Sequence, residues 1–252
     1  MPEPKIYVSQ AAYFPYAAWK PRVAADWAYE AGYAGLQVLP TRGMLSRPNL
    51  SLPVKYLENV WYIDNPDSCP TLIDRPFFPD LEASQDLFYD LRDYPGVREI
   101  AHEFKSGSML VEPHHGLWMS PDDIVSAAHQ RNARLVLDTW HLREPLNANQ
   151  LHSFPGGTVP PVSFLGTWQD AVRILGPLTN VVHVQTRSYR ELMATLDNEP
   201  TELAQMVELI REHTESPDWV VEVTIGIRGF NPFELIGMHR RMRQWLALKL
   251  ME

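Results

Sequence analysis

Four polar side chains stand among apolar neighbours in the last four strand-like runs of the chain. They are Glu112 in MLVEPHH, Asp138 in RLVLDTWH, His183 in VVHVQT and Glu222 in VVEVT. Taken singly, each has an ordinary role: a strand-end carboxylate caps a helix or pairs with a base, and a histidine among valines hydrogen-bonds in a core. Taken in order on four successive strands, they point to shared chemistry. If those strands run parallel around one barrel, their carboxyl ends meet at one face, where active sites form. Three carboxylates and an imidazole converging there repel one another unless a cation holds them. Such an oxygen-rich set suits one divalent ion, Mn²⁺ or Mg²⁺ first, with Co²⁺ or Zn²⁺ as further options. The run Asp138-Thr139-Trp140-His141 adds a second metal-type ligand, His141, at the end of one strand.

The elements that must position these residues are legible as alternating patterns. Short apolar runs at Lys5–Ser9, Leu36–Leu39, Asn59–Ile63, Met109–Glu112, Arg134–Asp138, Val181–Gln185 and Trp219–Thr224 suit parallel strands buried on both faces. Between them, Pro21 to Ala31 places Val23, Ala24, Trp27, Ala28 and Ala31 on one helical face, and Gly32 stops it. Ser120-Pro121-Asp122-Asp123 and Asn231-Pro232-Phe233-Glu234 are helix starts, with a cap, proline in the first turn and acid at the positive end of the dipole. Thr201 to His213 reads as another helix, and Leu235, Met238, Met242, Trp245 and Leu246 form the stripe of the last one. The basic run His239-Arg240-Arg241 with Arg243 reads as a solvated face of that helix.

Strand then helix, repeated, predicts an α/β fold of the TIM-type (β/α)8 barrel kind, as one domain over residues 1–252. Seven strands are clear, so the barrel reads as reduced or irregular. The gap between the starts at 59 and 109 either hides an eighth strand or lacks a unit, and Val97–Phe104 within it reads as a helix. Residues 40–80 hold seven of the 22 prolines, a density that predicts long loops around the third strand.

Composition narrows the function classes. Hydrophobic residues are 45% and charged residues 21% of 252, a globular composition. The net charge of −9 argues against a broad nucleic-acid footprint. One cysteine, Cys69, excludes an intrachain disulfide and a thiolate zinc cluster. No apolar run is long enough to predict a membrane span, and MPEPKIYVSQ has no signal-peptide character, so the expected compartment is the cytoplasm.

The order Glu112, Asp138-Thr-x-His141, His183-Val-Gln and Glu222 resembles the xylose isomerase-like TIM barrels, a superfamily that includes sugar isomerases and epimerases, inosose dehydratase and endonuclease IV. The segment YEAGYAGLQVL (29–39) is similar to the first helix and second strand of that family. The resemblance implies a single metal held by Glu112, Asp138, His183 and Glu222, with His141 beside it. It implies proton transfer at a carbon next to a metal-bound carbonyl, with Glu112 and Glu222 on opposite sides of the substrate and His141 donating to the developing oxyanion. Arg187 would hold a distal substrate group. The expected partner is a small sugar or keto-acid, with no nucleic acid and no membrane; the oligomeric state is open, a homo-oligomer included.

Two departures stand out. Gln37 occupies a position where the family often has an acid, and the His183 strand is followed by Gln185-Thr-Arg rather than by the Asp-x-His of a three-zinc nuclease. Other residues are candidates by position. His114 and His115 follow Glu112, Arg228 lies in the glycine-flanked loop before the last helix, where an anion would be favoured, and Trp61, Trp118 and Trp140 are candidate walls of a sugar pocket. The leading expectation is a metal-dependent sugar isomerase or epimerase. The alternatives are a dehydratase or lyase of the same superfamily, an endonuclease IV-like phosphodiesterase, and a non-catalytic sugar-binding barrel.

Overall fold

The computed structural model describes residues 4–13, 16, 21–38, 50–59, 96–101, 110–113, 120–143, 167–223 and 231–252. Eight strands close into one parallel barrel in sequence order, β1 pairing with β8. They are β1 (Ile6–Ser9), β2 (Leu36–Val38), β3 (Val54–Asn59), β4 (Arg98–Ala101), β5 (Leu110–Val111), β6 (Arg134–Asp138), β7 (Thr179–Val184) and β8 (Asp218–Val221).

Two of these correct the sequence reading. The eighth strand is present as β4, within the segment whose pattern suggests a helix. Val97, Ile100, Ala101 and Phe104 mimic a helical stripe by spacing. Ile100 and Ala101 are both buried as consecutive residues, however, as a strand covered on both faces requires. The barrel is therefore complete in strand number. The third strand is Val54–Asn59, sharing only Asn59 with the expected Asn59–Ile63; residues 60–63 lie outside the described residues. Pro53 stands just before it, a place a strand tolerates.

Six helices surround the barrel among the described residues: α1 (Pro21–Ala31), α2 (Pro121–Arg131), α3 (Trp168–Leu175), α4 (Tyr189–Leu196), α5 (Glu202–His213) and α6 (Pro232–Met251). Their starts follow local chemistry. Ser120 caps α2 by accepting from the Asp123 N–H, and Asn231 with Glu234 closes a capping box on α6. Gly32 ends α1 at φ +88°, a conformation only glycine adopts freely. Along α6 the solvated-face expectation holds for Arg240 and Arg241, which are exposed, but not for His239, which is buried. No helix among the described residues is long and apolar enough to cross a membrane.

Inside the barrel, period-2 alternation builds layers. Tyr7, Tyr56, Ile100, Leu110, Val136, Val181 and Val220 form one buried cluster drawn from seven strands, with Tyr7 and Tyr56 edge to face at 5.9 Å. Tyr56 donates to Asp218 beneath this plug, at the start of β8. The alternate residues, such as Ile6, Val8, Leu57, Val182, Trp219 and Val221, pack outward under the helices.

Candidate metal centre

The plug determines where the polar residues stand. On β5 to β8 the plug residues are Leu110, Val136, Val181 and Val220. Two positions further along each of these chains come Glu112, Asp138, His183 and Glu222. Period 2 keeps each on the lumen side, one layer closer to the carboxyl ends of the strands. All four are buried, at 3, 3, 0 and 7% exposure respectively.

Ligand atoms of Glu112, Asp138 and His183 lie within 4.8 Å of one another. Oxygen ligands at about 2.0–2.6 Å from a hard divalent ion stand about 4–5 Å apart across it, so this spacing suits one ion. Glu222 is not in that mutual triplet but borders it. His183 Nδ1 approaches Glu112 Oε2 at 3.0 Å and Glu222 Oε2 at 3.3 Å. His141, half-buried, brings Nε2 within 3.9 Å of Glu112 Oε1.

A shell of donors orients these groups. The backbone N–H groups of Trp140 and His141 donate to Asp138 Oδ1 at 2.5 and 3.1 Å, an Asx-type turn that starts the 3₁₀ turn His141–Arg143. Gln185 Nε2 donates to Asp138 Oδ2 at 2.7 Å and to Glu222 Oε2 at 2.9 Å, bridging two carboxylates. Gln37 donates to Glu222 Oε1, and its carbonyl lies 2.8 Å from His183 Nε2.

The electrostatics match a cation site. Burial pushes the Asp138 carboxyl up; the rings of His141 and His183 pull it down, and the Glu112 carboxylate adds to the rise. Burial disfavours a charged ring at His183, but Glu222, Glu112 and Asp138 outweigh it and raise its pKa to about 10. The cluster thus calls for positive charge at its centre, which a proton on His183 supplies in the metal-free state and a divalent ion supplies better. By donor type, spacing and burial, the residues fit such an ion.

The other candidates fall in different places. Trp140 is half-buried beside Asp138. Arg187 is exposed, its guanidinium 4.0 Å from Glu202, and is not brought into the cluster. His114, His115, Trp61, Trp118, Cys69 and Arg228 lie outside the described residues.

Three contributors were missed from sequence. In the sequence Gln37 stands out only as a departure from the family pattern, and Gln185 only as a residue out of place in a three-zinc nuclease. The alternation His183-x-Gln185 was the available signal, because it puts both on one side of a strand. Arg143 is the third. Its buried guanidinium donates to the carbonyls of Thr139 (2.7 Å) and Gln185 (2.9 Å) and pairs with Glu191, locking the turns after β6 and β7 together.

No protein-family model matches the chain, and no curated protein matches it. Solved structures do. L-ribulose 3-epimerase aligns over 98% of this chain and 95% of its own, at a TM-score of 0.54 and 12% identity. D-allulose 3-epimerase from Methylomonas sp., in complex with D-allulose, covers 94% and 95% at 0.50 and 12%. A sugar phosphate isomerase/epimerase from Parabacteroides distasonis covers 99% and 96% at 0.50 and 10%. Such identities speak to architecture alone, and with the closed eight-strand parallel barrel they show that this chain shares the (β/α)8-barrel fold of these proteins.

Proposed function

We propose that the chain is a divalent-metal-dependent isomerase or epimerase of a small sugar or keto-sugar, working by proton transfer beside a carbonyl. The observation that carries this reading is the buried group of Glu112, Asp138 and His183, bordered by Glu222, at the carboxyl ends of the barrel strands. A sugar substrate agrees with the neighbours of the same fold, which are named as sugar 3-epimerases and a sugar phosphate isomerase/epimerase.

Glu112, Asp138, His183 and Glu222 would hold the ion, Mn²⁺ or Mg²⁺ by the predominance of oxygen donors. When bound, it supplies Lewis acidity to a carbonyl oxygen. The chain's own residues do the rest. Glu112 comes from the end of β5 and Glu222 from the end of β8, so the cluster carries a carboxylate on two flanks. One takes the proton from the carbon beside the carbonyl and the other returns one from its own side. Gln37 and Gln185 hold Glu222 in a single orientation. His141, next to Glu112, donates to the oxygen that gains charge. Trp140 and, outside the described residues, His114 and Arg228 are the proposed substrate contacts. Arg187, exposed and 4.0 Å from Glu202, is a further proposed contact.

Metal content of protein purified without chelator tests the site. Wild type should carry about one ion per chain, and Glu222→Gln and His183→Ala should each lose most of it. Full occupancy in both variants would remove the assignment. Incubation with a sugar panel followed by mass spectrometry tests the reaction: products of unchanged mass support isomerisation, and loss of water would make the enzyme a dehydratase.

A further inference from the structure

Gln37 is an uncharged side chain that touches both the imidazole and a flanking carboxylate of the cluster while standing on a strand far from either in sequence. It projects from β2, is fully buried, and contacts His183 and Glu222 from across the barrel lumen. A carboxylate only accepts hydrogen bonds, so the NH₂ of the amide must face Glu222. Its carbonyl then faces His183, and a carbonyl only accepts. His183 must therefore present N–H at Nε2. In the neutral ring that binds an ion, the lone pair is then on Nδ1, and Nδ1 is the atom that faces Glu112 and Glu222. The same amide occupies Glu222 Oε1, leaving Oε2 on the side of His183 Nδ1 and of the Gln185 bridge to Asp138.

We propose that Gln37 is a positioning residue of the metal centre: its amide commits His183 to bind the ion through Nδ1 and directs Glu222 Oε2 toward the same ion. This rests on the reading that the cluster holds a divalent ion. An acid at position 37 would set two buried carboxylates against each other. A hydrophobe would leave Glu222 Oε1 without this donor and His183 Nε2 without an acceptor. Partners of this kind, behind the ligands, set ligand orientation and basicity, and losing one typically lowers metal affinity by about 10- to 100-fold.

The test uses the full chain, freed of metal and titrated with Mn²⁺, with free Mn²⁺ read by electron paramagnetic resonance. Gln37→Met keeps the side-chain length and removes both polar groups, and far-ultraviolet circular dichroism checks that it folds. The expected result is binding by wild type, with Gln37→Met weaker by about 10- to 100-fold. A folded Gln37→Met that binds as tightly as wild type overturns the proposal. A second measurement needs no variant at position 37. In the Zn²⁺-loaded wild type with ¹⁵N-labelled histidine, long-range ¹H–¹⁵N correlation should show His183, assigned by His183→Ala, bound through Nδ1 with a slowly exchanging Nε2–H. Zinc on Nε2 overturns the proposal. Failure of wild type to bind Mn²⁺ at all is distinct from both: it overturns the metal reading itself and the proposal with it.

Discussion

Replacing His239 with phenylalanine should flatten the acid side of the stability profile. His239 lies on α6 at 1% exposure, its ring 4.6 Å from that of Tyr13 and edge-on to Tyr33 at 6.1 Å. The Tyr33 hydroxyl donates to the His239 carbonyl at 3.1 Å and sits 3.3 Å from Nδ1. Burial among these rings disfavours the charged imidazolium and, with only the Ala12 backbone pulling the other way, lowers the pKa from 6.5 to about 4. Below pH 6.5 the unfolded chain therefore takes up a proton that the native ring refuses until about pH 4. The unfolded state binds more protons in that window, so stability present above it is lost as pH falls through it. At about 1.4 kcal/mol per unit, the whole shift is worth about 3 kcal/mol, of which about 2 is lost between neutrality and about pH 5. Urea unfolding of both proteins at about pH 7.5 and pH 5 measures this. Phenylalanine keeps the aromatic packing and the backbone acceptor for Tyr33 but cannot titrate. Other groups titrate alike in both proteins and cancel in the difference. Wild type should lose about 2 kcal/mol more than His239→Phe on acidification. Equal losses would refute the reasoning, because they would mean that the native ring accepts its proton as easily as the unfolded one.

Arg143→Met should lower stability by about 3 kcal/mol, since it strips a buried guanidinium from Glu191 and from the Thr139 and Gln185 carbonyls. By calorimetry that is a fall of roughly 6–12 °C for a domain of this size, and an unchanged midpoint would count against the locking role. Gly35→Ala should destabilise by about 1–3 kcal/mol. The added Cβ would stand 2.7 Å from the Pro53 carbonyl oxygen and 3.2 Å from the Tyr7 ring, so the first and third strands must give way. A urea midpoint equal to that of wild type would show that they can do so freely.

Much of the barrel is legible because local chemistry writes it. The run RLVLD becomes β6 at its expected limits, Ser120 and Asn231 cap helices where their neighbours suggest, and Gly32 ends α1. The failures have physical causes. β4 carries apolar residues at helical spacing although two consecutive residues are buried. The third strand, VKYLEN, is less apolar than the neighbouring NVWYI run that overshadows it in sequence. α3 and α4 have eight residues each, too few turns for periodicity to stand out. His239 sits in a basic run yet faces inward, because one helix face alternates with another within a turn.

The candidate site divides along the same line. That Glu112, Asp138, His183 and Glu222 each face the same side as an apolar residue two positions earlier follows from the sequence, because period 2 acts locally. Which side chains then touch does not follow. Gln37 meets His183 across 146 positions and Glu222 across 185, and Arg143 reaches Glu191 across 48. Such pairings depend on barrel closure, on the stagger of each strand against the next and on how far each side chain reaches across the lumen. The alternation of residues along one strand sets the direction in which a side chain leaves the backbone, and only the closed sheet decides what waits at the other end.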